Sequence, residues 1–155
     1  MRKRELYESL VGQLRALVAG EPDLIANLAN VSALLKGGLQ DINWVGFYLL
    51  KVEGVLVLGP FQGQPACLRI PVGSGVCGTA AATGLVQRVA DVHLFAGHIS
   101  CDSASNSEIV LPVLVGQKVV AVLDIDSPNL DRFDAEDQAG LELIVNELKN
   151  LNWAG

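Results

Sequence analysis

Residues 44–58 and 109–126 each carry two β-type apolar runs joined by a short polar turn, and segments of helical period flank them on both sides. That change of period is the strongest constraint on what the chain can fold into. Trp44-Val45-Gly46-Phe47-Tyr48-Leu49-Leu50 is followed, after a turn around Glu53-Gly54, by Val55-Leu56-Val57-Leu58. Ile109–Val115 and Val119–Asp126 make a second hairpin across Gly116-Gln117-Lys118, and shorter strands are expected at Ala66–Ile70 and Leu85–Val89. Before the first hairpin, Leu6, Leu10, Leu14, Leu17 and Val18 recur at helical spacing. Gly20-Glu21-Pro22-Asp23 stops that helix and opens another, with Pro22 near its first position, running through Leu24, Leu28, Val31 and Leu35 to Gly37-Gly38. Asp134 reads as the cap of a last helix through Leu141, Ile144, Val145 and Leu148. Terminal helices packed on one face of a mainly antiparallel central sheet make an α+β fold.

The 155 residues suit one compact domain, 1–155, and half of them are hydrophobic, which excludes intrinsic disorder. Eleven Lys and Arg against seventeen Asp and Glu give a net charge of −6 with no basic stripe. Such a chain is poorly suited to nucleic acid or a membrane surface. The richest apolar stretch, Ile109–Val115, is short and broken by Pro112, and the charged start Met1-Arg2-Lys3-Arg4-Glu5 leads into an amphipathic segment. A soluble, cytoplasmic protein is expected. In a reducing compartment three cysteines, an odd count, are reactive or buried more often than they are permanent staples. Cys67, Cys77 and Cys101 contain no Cys-x-x-Cys pair, so a metal site is not expected, and His93 and His98 read as surface or hydrogen-bonding residues rather than catalysts.

Three segments are able to carry chemistry. In Val72-Gly73-Ser74-Gly75-Val76-Cys77-Gly78-Thr79, glycines lead into an alanine-rich helix whose first N–H groups suit a carboxylate or phosphate. The alternative is that the glycines serve a tight turn. No Gly-Lys-Ser/Thr follows, so it is not a Walker loop. The long polar connection from Asp91 to Glu108 is of the kind usually functional or disordered. Cys101 sits in it among small polar residues, where a nearby histidine or turn N–H groups would favour the reactive thiolate. Asp124 and Asp126, two apart at the end of an apolar strand, share one face with Val120 and Val122. They are either a solvated strand end or, joined by Glu108 from the neighbouring strand, a group of acids that binds a cation or shares a proton. Trp44, Phe47 and Tyr48 are sheet and core residues, one of which could wall a small pocket.

Taken together these segments resemble the free methionine-(R)-sulfoxide reductases, a family of single GAF domains. The resemblance is carried by Asp41–Tyr48, Leu58–Gly63, Ile70–Ala80, His98–Pro112 and Leu123–Ser127, in family order and with all three cysteines. It implies a thiol mechanism without cofactor or metal. Cys101 matches the catalytic nucleophile that attacks the sulfoxide of free methionine (R)-sulfoxide and becomes a sulfenic acid. Cys67 matches the resolving position and Cys77 an alternative or relay thiol, and thioredoxin matches the reductant. Glu108, Asp124 and Asp126 match the acids of the substrate pocket, and Trp44 and Tyr48 its aromatic wall. GAF domains also pair through their terminal helices, which makes the Leu6–Val18 segment the candidate homodimer face. The rival readings are a GAF small-ligand sensor without catalysis, and a thiol redox switch in which the acids do nothing chemical.

Overall fold

The computed structural model describes residues 1–98 and 103–154. Helices α1 (Lys3–Val18) and α2 (Leu24–Gly38) precede strands β1 (Trp44–Val52), β2 (Val55–Gln62) and β3 (Arg69–Pro71). Helix α3 (Gly75–Thr83), β4 (Gln87–Val89) and a 3-10 turn (Val92–Leu94) follow, then β5 (Ser107–Val115), β6 (Lys118–Ser127) and α4 (Ala135–Leu148). The strands form one six-stranded antiparallel sheet in the order β3-β2-β1-β6-β5-β4. Both expected hairpins are present, and the fold is α+β.

The helix boundaries follow local chemistry. Asp23, not Pro22, caps α2, its side chain accepting from the Ala26 N–H; Pro22 stands one residue further out. Asp134 caps α4 in a reciprocal box with Asp137. The buried face of α1 is Tyr7, Leu10, Val11 and Leu14, and Leu17 of the expected stripe is 43% exposed. Two expected strands are shorter than their apolar content suggests: β3 begins at Arg69 and β4 at Gln87. Both are edge strands with a single partner.

Side-chain alternation divides the sheet into two faces. Val45, Phe47 and Leu49 of β1, Ile109 and Leu111 of β5, and Leu123 and Ile125 of β6 pack with α1, α2 and α4 into the larger core. Trp44 and Tyr48, Val110 and Val122 point the other way and pack with Val76, Cys77 and Ala80 of α3. One expectation fails here. Val120 does not share a face with Val122, because the ladder steps from Val113↔Ala121 to Leu114↔Val119 and leaves Val120 as the extra residue of a bulge. Val120 therefore packs against the larger core, and Val119 takes its place on the α3 side. Among the described residues no helix is long and apolar enough to cross a membrane.

Candidate active site

The smaller core does not close over. Between the sheet and the start of α3 lies a cavity with about 530 Å³ of empty space, its open mouth included. Trp44 and Tyr48, residues 65 and 66, Ile70, the α3 start (Ser74, Gly75, Val76, Cys77), His98, Ser105, Glu108, Asp124 and Asp126 line it. Seven of the eight residues expected to form a site are described. Six of them, Trp44, Tyr48, Cys77, Glu108, Asp124 and Asp126, line this one cavity. The eighth, Cys101, falls in residues 99–102, outside the described residues.

Register brings the acids together. Glu108 pairs directly with Asp126 across β5 and β6, and Val110 pairs with Asp124, so Glu108 has Asp126 opposite and Asp124 on the diagonal. Asp124 in turn lies opposite Gly46 of β1. A Cβ at Gly46 would fall 2.2 Å from the Cβ of Phe61, so only glycine lets β2 bring Phe61 onto the ring of Trp44. The Cys77 Sγ and one carboxylate oxygen each of Glu108 and Asp124 lie within 4.8 Å of one another, all three residues buried.

Burial, followed by the charges of Asp124 and Asp126, pushes the Glu108 carboxyl well above the usual carboxylate range. Burial raises Asp124 as well, opposed by hydrogen bonding to Glu108 and Cys77. With both carboxyls ionised, Asp124 Oδ1 is buried and has no hydrogen-bond partner. A proton held by Glu108 and donated to Asp124 resolves that: two adjacent buried carboxyls hold one proton between them. Cys77 is likewise pushed up, first by burial and then by Asp124, so its thiol is neutral. Cys77, Glu108 and Asp124 have the donor types for a soft divalent ion, but the thiol and the carboxyl pair would each first have to lose a proton that this environment favours keeping.

The aromatic wall is a stack. The Trp44 ring lies 5.2 Å from Phe61 and 6.1 Å from Tyr48, centroid to centroid, and its indole N–H donates to the Gln64 carbonyl. The Tyr48 hydroxyl, its own titration displaced upward by burial and Asp124, donates to the Cys67 carbonyl at 2.9 Å. This ties the Cys67 segment to the wall of the cavity. Cys67 is disulfide-bonded, whereas Cys77 is a free thiol.

Opposite the acids, α3 points its N-terminus at the cavity through Ser74, Gly75 and Val76. Ser74 supplies no side-chain cap, so the first N–H groups of α3 are left for another acceptor. Sequence reasoning missed one residue here. His98 lines the cavity with its side chain 16% exposed, Nε2 lying 4.0 Å from Glu108 Oε1. Its place three residues before Cys101 was the available signal. His93 is the surface residue expected, exposed and hydrogen-bonded through Nε2 to Asn106 Oδ1 at 3.0 Å.

A GAF domain family model matches residues 12–150. The chain is 57% identical over 151 residues to the free methionine-R-sulfoxide reductase of Escherichia coli, covering 97% of this chain and 91% of that protein. The free methionine-R-sulfoxide reductase of Neisseria meningitidis, solved in complex with its substrate, superposes with a TM-score of 0.94 at 43% identity, covering 99% of this chain and 92% of that one. The fRMsr of Staphylococcus aureus, also solved in complex with substrate, gives 0.89 at 51% identity over 94% of this chain and 95% of that one. With the domain model spanning most of its length and identity this high along almost all of it, the chain belongs to the GAF-domain family of free methionine-R-sulfoxide reductases.

Proposed function

We propose that this protein reduces free methionine (R)-sulfoxide to methionine by a thiol mechanism, with Cys101 as nucleophile. The Cys101 thiolate attacks the sulfoxide sulfur while a protonated carboxyl gives its proton to the sulfoxide oxygen. The attack joins the two sulfurs; the protonated oxygen then passes to the Cys101 sulfur as that S–S bond and the methionine S–O bond break, which releases methionine and leaves a sulfenic acid on Cys101. The Cys67 thiol condenses with it, forming a Cys101–Cys67 disulfide and releasing water. Thioredoxin reduces that disulfide by exchange, which requires a reducing compartment such as the cytoplasm. Cys77 serves as an alternative or relay thiol.

The observation that carries this reading is the convergence of Glu108, Asp124 and Asp126 on one buried face beside Trp44 and Tyr48. Breaking an S–O bond needs a proton at the oxygen, and a carboxyl with raised proton affinity is suited to give it. The other acids suit the ammonium group of a free amino acid, and the uncapped start of α3 suits its carboxylate. A peptide-bound methionine offers neither charge. The engagement of Cys67 in a disulfide supports it as the resolving thiol, and the buried, neutral Cys77 is a poor first nucleophile. The likeness to relatives named as reductases of free methionine-R-sulfoxide, two of them solved with substrate, points the same way.

The test is NADPH oxidation coupled through thioredoxin and its reductase, with the R and S epimers of free methionine sulfoxide offered separately. Turnover of the R epimer alone, abolished in Cys101→Ser, is expected. No turnover of either epimer by folded protein with reduced thiols would overturn the proposal.

A further inference from the structure

We propose that His98 is the proton relay of this site, taking the proton that the nucleophilic thiol gives up and returning it to Glu108. The inference rests on the thiol mechanism proposed above, and its starting point is proton balance. Thiol plus sulfoxide becomes sulfenic acid plus sulfide, with no net uptake of protons. The thiol must lose its proton to attack, and the sulfoxide oxygen must gain one as the S–O bond breaks. If Glu108 supplies the second, the first is the natural source for reloading it, and some base has to carry it between the two.

The geometry points to one group. His98 Nε2 lies 4.0 Å from Glu108 Oε1, about one small side-chain adjustment from a hydrogen bond. His98 precedes Cys101 by three residues, and its own backbone N–H is fixed to the Phe95 carbonyl at 3.1 Å. The described lining residues include no Lys or Arg. The titratable groups around the imidazole are Glu108 on β5, Asp124 and Asp126 on β6, Cys77 on α3, Tyr48 on β1 and His93 on the 3-10 turn. None of those at the cavity is a ready base: Glu108, Cys77 and Tyr48 hold their protons, and the two aspartates are taken up with Glu108 or with an ammonium group. Burial, with His93 nearby, holds His98 below the usual histidine range and Asp124 only partly offsets it. The imidazole is therefore neutral at pH 7 and open to accept. Its side chain is 16% exposed, enough for contact with water. The second histidine, His93, is engaged with Asn106.

The experiment compares wild type, His98→Ala and His98→Gln in the coupled assay across pH, with and without free imidazole. His98→Ala is expected to lower kcat by about 10²-fold, the low end of general acid–base contributions, with KM within about twofold. Added imidazole restores a good part of the loss in the alanine variant but not in the bulkier glutamine one. The acid limb of the wild-type kcat profile, where His98 takes up a proton and stops accepting, disappears in both variants. An active wild type whose variants keep its kcat and its acid limb would overturn the relay alone. So would a loss that imidazole does not rescue and that leaves the limb in place, because that marks a structural role. A wild type that turns over neither epimer sinks the mechanism and the relay with it.

Discussion

Glu108 and Asp126 stand directly opposite each other on the antiparallel β5–β6 ladder, with Glu108 buried on the face that α3 covers. Like charges in that position destabilise a sheet. The arrangement is tolerable because Glu108 holds a proton, and it is costly for the same reason that it is useful.

Glu108→Gln separates the two effects. The amide keeps the volume and removes both the proton and the latent charge. On the proposed mechanism, kcat for the R epimer falls by about 10²–10⁴-fold. Thermal stability holds or rises, since a buried ionisable group has become a neutral one. A coupled assay and a melting curve on the same preparation check both, and a variant that is active or markedly less stable contradicts the assignment.

The same acids give stability a definite pH dependence. Glu108 and Asp124 titrate above their ordinary values of 4.5 and 3.8, so the folded chain holds protons that the unfolded chain has released. Their contribution is most favourable below those ordinary values and is lost as pH rises through the raised ones. Asp134 behaves oppositely: Lys3 beside it lowers its carboxyl to about 2, so its contribution is present above 3.8 and lost as pH falls toward 2. Urea unfolding between about pH 5 and 8 is expected to show wild type losing stability relative to Glu108→Gln as pH rises. Parallel curves would refute the raised Glu108.

Asp137 is the structural counterpart, a buried acid that is fully paired. It accepts from the Tyr7 hydroxyl at 2.7 Å, Lys3 Nζ at 2.8 Å, Arg132 Nη1 at 3.3 Å and the Asp134 N–H at 3.0 Å, joining α1 to the start of α4. Tyr7→Phe is expected to cost about 1.5–3 kcal/mol, the range for a hydrogen bond to a charged group. Asp137→Ala leaves several donors without an acceptor and should cost at least as much. Denaturant midpoints measure the loss, and kcat per folded molecule should not move.

Tyr48→Phe tests the tie between wall and thiol. Removing the hydroxyl frees the Cys67 carbonyl and costs about 0.5–1.5 kcal/mol. Methionine release in a single turnover should be preserved, while disulfide formation slows, by as much as about 10²-fold if Cys67 is displaced by an ångström. Rapid quenching with thiol trapping resolves the two steps. Equal slowing of both would show that the hydroxyl acts on the substrate and not through Cys67.

The two hairpins, the three long helices and the Asp134 cap were legible in the sequence because period and capping are local: each is written within a dozen residues. Alternation also placed Asp124 and Asp126 on one face correctly, since both lie beyond the bulge that sends Val120 to the other side. The bulge itself left no mark in the sequence, because it is a property of two strands in register. Nor did the edge positions of β3 and β4. Cys67 and Cys77, ten residues apart in the chain, part company in the fold: one tied by its carbonyl to Tyr48 and disulfide-bonded, the other a buried free thiol against Asp124. His98 read as a surface or hydrogen-bonding residue until the fold set it beside Glu108 of β5. Which residues can do chemistry is a matter of type and local pattern, and a sequence contains both. How firmly each holds its proton depends on burial and on charges brought from distant strands, and those exist only once the sheet has closed over them.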